Sequence, residues 1–504
     1  MNKKLLSLAA ALLCMGSMSV LAQTRYIDKL FPNVTVQADI TYGQNYQVLT
    51  GSPVLIPLQM DVYTPTGDNA TNRPLVIYLH TGSFLPPIVN GSTTGSRKDS
   101  ATAEMCREFA RRGYVAAAVS YRLGWNPQGD QATRTGTILN AVYRSMQDAK
   151  TAIRYFRKEA ATNGNPFGID TTKVIIVGQG TGGYAGLAAA YLDKTSELNL
   201  LKFIDPNTNA SYVNQAIVGD FDGFGGAVGV ANNPNWAGYS SDFSMVVNLG
   251  GAIGDTSWME PGDVPTIAFQ SVTDPFAPYN NGVVLVPGTT FQVIDVSGSG
   301  AFTQTAFRLG LQTPMLNPTL NDAISQKALQ LNGGVDGLYP LYIAPFTPQA
   351  GPWEWWDSTM VKQITINPGG FSGEVAHRNS MMTNPNMSKT KGLAYIDTIQ
   401  RYIAPRIVNV LGLPGNTTSI NKVEKAVEMV VYPNPSEGDF SIRTQNDNLI
   451  KSVKVYDVIG REIRSIANVN ENQLTIARDG MNTGIYFVKV LTEKGEATRK
   501  LNLR

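Results

Sequence analysis

Between Lys173 and Tyr191 the chain passes from a short apolar run straight into glycines, and that junction constrains the fold more than any other stretch. Val174-Ile175-Ile176-Val177 is β-branched and apolar on both faces, the composition of a strand buried inside a sheet. Gly178-Gln179-Gly180-Thr181-Gly182-Gly183 follows as a tight turn, and Tyr184-Ala185-Gly186-Leu187-Ala188-Ala189-Ala190 reads as a small-residue helix. Strand, turn and helix of this kind belong to α/β proteins, whose sheets bind ligands beyond the carboxyl ends of their strands. Gly180 stands at the centre of that turn, where chemistry is expected, and it has no side chain.

The rest of the chain agrees with an α/β body. Arg73-Pro74-Leu75-Val76-Ile77-Tyr78-Leu79-His80, residues 114–121, 243–249 and 266–271 are further buried-strand runs. Helical patterns fall between them, around Cys106, from Asp148 to Ala161 and from Lys391 to Leu411. Strands alternating with helices imply a mostly parallel, doubly wound sheet. Residues 23 to about 70 read as β-meander, with Val54–Tyr63 alternating as a strand does. Residues 194–240 and 280–365 break the alternation and read as insertions forming a cap over the sheet. The second contains Trp353-Glu354-Trp355-Trp356, either ordinary cap core or a stacking platform for sugars or aromatic ligands.

At 504 residues the chain needs more than one domain, and 43% hydrophobic with 16% charged residues describes a folded, core-forming protein. A formal net charge of +2 gives no electrostatic case for nucleic acid or an anionic membrane. Residues 1–22, with Asn2-Lys3-Lys4 before an apolar stretch ending Val20-Leu21-Ala22, read as a signal peptide cleaved before Gln23, not as a transmembrane segment. Cys106 is then the one cysteine left, so no intrachain disulfide forms, and its helix makes it a buried small hydrophobe. Residues 23–411 form the α/β domain, 412–428 a linker rich in Gly, Pro, Asn and Lys, and 429–504 a small all-β sandwich.

Two resemblances are carried by specific residues. The C-terminal domain resembles the type A sorting domain of the Bacteroidetes type IX secretion system. It matches in Val431-Tyr432-Pro433-Asn434-Pro435-Ser436-Glu437-Gly438, in Val455-Tyr456-Asp457 with Gly460-Arg461, and in Gly484-Ile485-Tyr486-Phe487-Val488-Lys489-Val490 with the terminal Lys500-Leu501-Asn502-Leu503-Arg504. The resemblance implies secretion machinery as a partner, export through the outer membrane, removal of the domain, and release or attachment at the cell surface. The central domain resembles the carboxylesterase and lipase branch of the α/β-hydrolases. Met60-Asp61-Val62-Tyr63-Thr64-Pro65, His80-Thr81-Gly82-Ser83-Phe84 in the place of that branch's His-Gly-Gly loop, and Val119-Ser120-Tyr121-Arg122-Leu123-Gly124 carry it, with Thr81 replacing one glycine.

An esterase needs a hydroxyl nucleophile, an imidazole base, a carboxylate that orients the imidazole, and N–H donors for the oxyanion. The resemblance puts Gly178 and Gly182 in the flanking slots of the nucleophile elbow Gly-x-Ser-x-Gly, and Gly180 in the serine slot. It assigns the acid to Asp274, after the strand run Thr266–Ser271, and the base to His377, in a loop before the last helix. The chain has two histidines, and the other, His80, falls in the oxyanion loop as a structural residue. The oxyanion donors are then the backbone N–H groups of Gly82, Ser83 and Thr181.

Gly178-x-Gly180-x-x-Gly183 also satisfies a dinucleotide fingerprint, but no acidic residue closes a following strand. Asp220 and Asp222 lack the further ligands of a calcium loop, so neither cofactor nor metal is expected. Two functions stay open. One is a non-catalytic homologue binding a small ester or carbohydrate at the cell surface. The other is a working esterase whose nucleophile is unusual, Thr181 or Ser83, or whose serine has been replaced in this chain. If Asp274 and His377 stand in triad geometry, Gly180→Ser is predicted to create hydrolysis of short p-nitrophenyl esters. A folded variant without turnover would remove the triad assignment.

Overall fold

The computed structural model describes residues 24–504 except 50, 88, 317–319, 366–371, 415–428, 445–447, 459 and 494. The expected signal peptide and most of the expected linker lie outside the described residues. The chain divides into two compact units, up to Leu413 and from Pro414 onward.

In the first unit, β1 (Val34–Val48) and β2 (Pro53–Pro65) form a long antiparallel hairpin. The buried strands then follow with their helices: β3 (Arg73–Leu79), α1 (Ser100–Arg111), β4 (Val115–Val119), α2 (Gln131–Thr162), β5 (Ile169–Gln179) and α3 (Thr181–Tyr191). Next come β6 (Val246–Leu249), β7 (Thr266–Ser271), the hairpin β8 (Asn281–Leu285) and β9 (Gln292–Ser297), α4 (Ser299–Arg308) and β10 (Leu338–Leu341). Helices α5 (Gly373–Thr383) and α6 (Lys389–Leu411) end the unit. Eight strands join one sheet in the order β1-β2-β4-β3-β5-β6-β7-β10, parallel from β4 to β10.

Alternation along β3 builds the two layers. Leu75, Ile77 and Leu79 enter one core with Ala149, Ile153 and Phe156 of α2, whereas Val76 and Tyr78 enter the other with Cys106 and Phe109 of α1 and Ile399 and Ile403 of α6. Cys106 is buried and free, as its helix predicts. Each fully buried aliphatic side chain contributes about 1.5–3 kcal/mol, so a strand buried on both faces anchors both layers.

The structure departs from the sequence pattern in two places. Helix α2 is 32 residues long and starts at Gln131, ahead of the predicted Asp148. Its first turns are rich in Thr and Gly, weak helix formers, and contacts outside the helix hold them: Asp130 caps Thr133 N–H, Thr135 Oγ1 donates to Val293 O, and Asn140 Nδ2 donates to Tyr212 O. Residues 280–365 are not all cap, because Leu338–Leu341 pairs with β7 as the last strand of the main sheet and α4 packs against both.

Among the described residues the second unit contains seven strands: β11 (Met429–Tyr432), β12 (Phe440–Thr444), β13 (Ile450–Asp457), β14 (Glu462–Glu471), β15 (Gln473–Ile476), β16 (Gly484–Thr492) and β17 (Gly495–Leu503). They form two antiparallel sheets, β11-β12-β15 and β14-β13-β16-β17, and Phe440 and Ile442 of one share a core with Val453, Val488 and Leu501 of the other.

Arg122, in the stretch that follows β4, is tied to Asp148 of α2, with both side chains at 0% exposure. Arg122 N donates to Asp148 Oδ2 at 2.7 Å and Arg122 Nε to Oδ1 at 2.9 Å. Removing one partner strands a charge in the core. Asp148→Ala is predicted to cost about 3–5 kcal/mol in denaturant unfolding, and the paired Arg122→Met/Asp148→Leu variant much less.

Candidate active site

The turn after β5 explains its glycines. A Cβ on Gly178 would lie 2.1 Å from Gly182 O, and one on Gly182 would lie 2.2 Å from Leu79 O. Backbone packs on backbone here, so α3 starts close against β3 and β5. Gly180 sits at the apex with φ 53° and ψ −117°, the strained conformation of a nucleophile elbow. Its N–H donates to Leu249 O at 2.8 Å and its carbonyl accepts from Gly183 N–H at 2.9 Å.

The space beside Gly180 is filled by another residue. A Cβ built on Gly180 would lie 2.1 Å from Thr81 Oγ1 and 2.9 Å from Thr81 Cβ. Thr81, in the turn after β3, thus puts its hydroxyl where a side chain at position 180 would stand. That hydroxyl has no hydrogen-bond partner among the described residues. A serine at position 180 would therefore have to displace the Thr81 hydroxyl.

Thr181 opens α3 and turns its hydroxyl to Tyr121 OH at 3.0 Å, while Tyr121 OH donates to His80 O at 2.6 Å. That hydroxyl is thus already engaged, although Thr181 lines the cavity. Gly82 and Ser83 form the turn after β3, with φ of 131° and 54°. Ser83 O accepts from Trp125 Nε1 at 2.7 Å. The N–H groups of Gly82, Ser83 and Thr181 meet no acceptor among the described residues. His80 is buried and stacked on Tyr121 at 4.6 Å, donating through Nδ1 to Thr81 O, and burial lowers its pKa to about 4. It is a neutral structural residue.

Asp274 follows β7, and its Oδ1 accepts from the N–H groups of Phe276 at 2.8 Å and Ala277 at 3.2 Å. Burial raises its pKa to about 7. His377 is not in a loop. It belongs to α5, which Ser372 caps by accepting from Val375 N–H, and the Gly373-Glu374 start of that helix is what reads as loop in sequence. Its Nδ1 accepts from Trp356 Nε1 at 3.0 Å, so that nitrogen carries no proton for a carboxylate. Among the described residues no hydrogen bond joins His377 to Asp274, and His377 does not line the cavity around the elbow.

That cavity has a volume of about 1170 Å³ and is bounded by Thr81–Ser83, Gly180, Thr181, Asp274, the start of α2 and the β8–β9 hairpin. Trp125, Trp258 and Trp353 line it, together with many aliphatic side chains. Its second carboxyl is Glu354, which sequence reasoning did not assign to the site. Glu354 Oε1 accepts from Gln179 Nε2 at 2.5 Å. Burial, with repulsion from Asp99 and Asp274, raises its pKa to about 8. The sequence signal was a lone charge inside Trp353-Glu354-Trp355-Trp356. No metal-binding group of three or more His, Cys, Asp or Glu residues occurs among the described residues.

Raised carboxyl pKa values tie stability to pH. The folded chain keeps these protons where the unfolded chain, with carboxyls near 3.8 and 4.5, has lost them. The contribution of these groups to stability is therefore largest in acid and falls as pH rises from about 4 to about 8. Glu354→Gln is predicted to flatten that fall and to exceed the parent in Tm at about pH 8.5.

Residues 60–286 match the sequence model of the family described as BD-FAE, and residues 430–504 match that of the secretion system C-terminal sorting domain. None of the curated proteins matches the chain. Among solved structures, native Thermogutta terrifontis esterase 2 is similar at 15% identity and a TM-score of 0.35, over 79% of this chain and 98% of that one. The same esterase phosphorylated by paraoxon aligns at 19% identity and a TM-score of 0.29, over 51% and 77%. Its propionate-bound form aligns at 18% and 0.28, over 51% and 77%.

Proposed function

For a chain that carries an esterase-like α/β-hydrolase domain of the BD-FAE family and a type IX sorting domain addressing it to the cell surface or beyond, we propose a ligand-binding role with little or no serine-esterase turnover. The observation that carries this reading is the exchange at the elbow: glycine at position 180 and the Thr81 side chain in the space a serine would use. Loss of a catalytic serine alone costs about six orders of magnitude in turnover, leaving what binding and the oxyanion donors supply.

Two further observations support it. No imidazole lines the cavity among the described residues, so a hydroxyl there has no ready base. The cavity, about 1170 Å³, lies just above the usual range of small-molecule sites, about 300–1,000 Å³, and is mostly apolar with a few polar groups, which suits a small ester or carbohydrate-bearing ligand. No helix among the described residues is long and apolar enough to cross a membrane.

A second reading rests on the same hydroxyl: a slow hydrolase in which Thr81, joining Thr181 and Ser83 as candidates, is the attacking group. Hydrolysis of p-nitrophenyl butyrate by the full chain separates the two. The binding reading predicts turnover at background in the parent and in Gly180→Ser, with any gain confined to Thr81→Gly/Gly180→Ser. Parent turnover abolished by Thr81→Val would establish the second reading in its place.

A further inference from the structure

The cavity is apolar where it is buried and also where it opens. Inside, Ile138 and Val142 of α2, Ile294 and Val296 of β9, and Phe203 line it. Leu49, Phe276, Leu285 and Met382 line it as well, yet they are 37%, 41%, 37% and 64% exposed. A side chain that lines a cavity and also faces solvent stands where the cavity opens. These four come from four separate segments: just past β1, the loop after β7, the end of β8, and α5.

Single exposed apolar side chains are ordinary on a protein surface. Four of them belonging to one cavity are not scattered, and exposed apolar surface continuous with a cleft marks a place that something covers. Size points the same way. At about 1170 Å³ the cavity exceeds the usual range of about 300–1,000 Å³, so a short acyl group would leave much of its apolar wall bare.

The charge of the occupant is limited by what the wall lacks. No Lys, Arg or His lines the cavity among the described residues, whereas the carboxyls of Asp274 and Glu354 do. An anionic ligand would leave water without a counter-charge and come to rest near two acids, at a large desolvation cost. At the elbow, the lining residues Gly82, Ser83 and Thr181 keep N–H groups that meet no acceptor among the described residues, and these suit a neutral carbonyl oxygen.

We propose that the cavity takes a neutral acyl compound with a long hydrocarbon chain, its carbonyl at the elbow and its chain covering the apolar wall out to Leu49, Phe276, Leu285 and Met382. This rests on the reading of the cavity as a ligand site and names the charge and the length of what it holds. A short ester would touch the elbow alone. A long chain also covers the apolar side chains at the opening, and each methylene placed there adds to affinity.

Calorimetric titration of the full chain at pH 7.5 with the N-methyl amides of butyric, heptanoic and decanoic acid tests it, with decanoate as the charged comparison. The amides keep a neutral carbonyl and resist hydrolysis. Affinity is expected to rise at least about tenfold at each step of three methylenes, since each buried methylene is worth about fourfold. Decanoate is expected to bind at least about tenfold more weakly than its amide. Leu285→Ser/Met382→Ser, which changes two exposed positions, should shrink the ratio of decanoyl to heptanoyl affinity. Affinity that levels off at the heptanoyl amide, a ratio that the double variant leaves intact, or decanoate binding as well as its amide overturns the inference while leaving a ligand cavity standing. If none of the four compounds binds, the ligand-site reading falls with it.

Discussion

Everything at the site depends on backbone packing against backbone where β5 meets α3. Gly178 and Gly182 have no room for a Cβ, and the contact of Gly182 with Leu79 O sets how closely α3 approaches β3. That closeness brings the turns after β3 and β5 together at one edge of the sheet. The N–H groups of Gly82, Ser83 and Thr181 are consequences of it, as is the meeting of Thr81 with Gly180. Sheet and helices could tolerate many changes in their cores, but a methyl group at either glycine would push the site apart.

The electrostatics of the domain follow a different logic inside the cavity from outside it. Elsewhere, several buried carboxylates face a guanidinium, as in Arg122–Asp148 and Arg406–Asp336. In the cavity, backbone N–H groups, the amide of Gln179 and the hydroxyl of Thr94 are the partners, and the pKa of both Asp274 and Glu354 rises with burial. A hydrolase triad would have pushed the acid the other way, by placing an imidazolium beside it. His377 is instead engaged with Trp356.

Much of the architecture was legible because parallel strands buried on both faces leave continuous apolar runs, as at Leu75–Leu79 and Ile267–Phe269. The start of α2 was not, since its Thr and Gly residues are helical only through contacts with the cap. Leu338–Leu341 escaped because four residues with a proline in the middle carry too little pattern to mark a strand. At the site, the elbow could be read from spacing, since its glycines are demanded by close backbone contacts. The partner of Gly180 could not. Thr81 is remote in sequence, and only the fold shows that the extra side chain of one residue occupies the space given up by the other. Glu354 was hidden for a related reason: a charge among tryptophans has no meaning until the chain around it closes into a cavity.

The contact between positions 81 and 180 makes the two residues a unit. A side chain at 180 would meet the Thr81 hydroxyl, and a glycine at 81 alone would leave the apex of the turn facing open space. Residues that share one small volume do not respond independently, so a single change at either position reads only half of the arrangement.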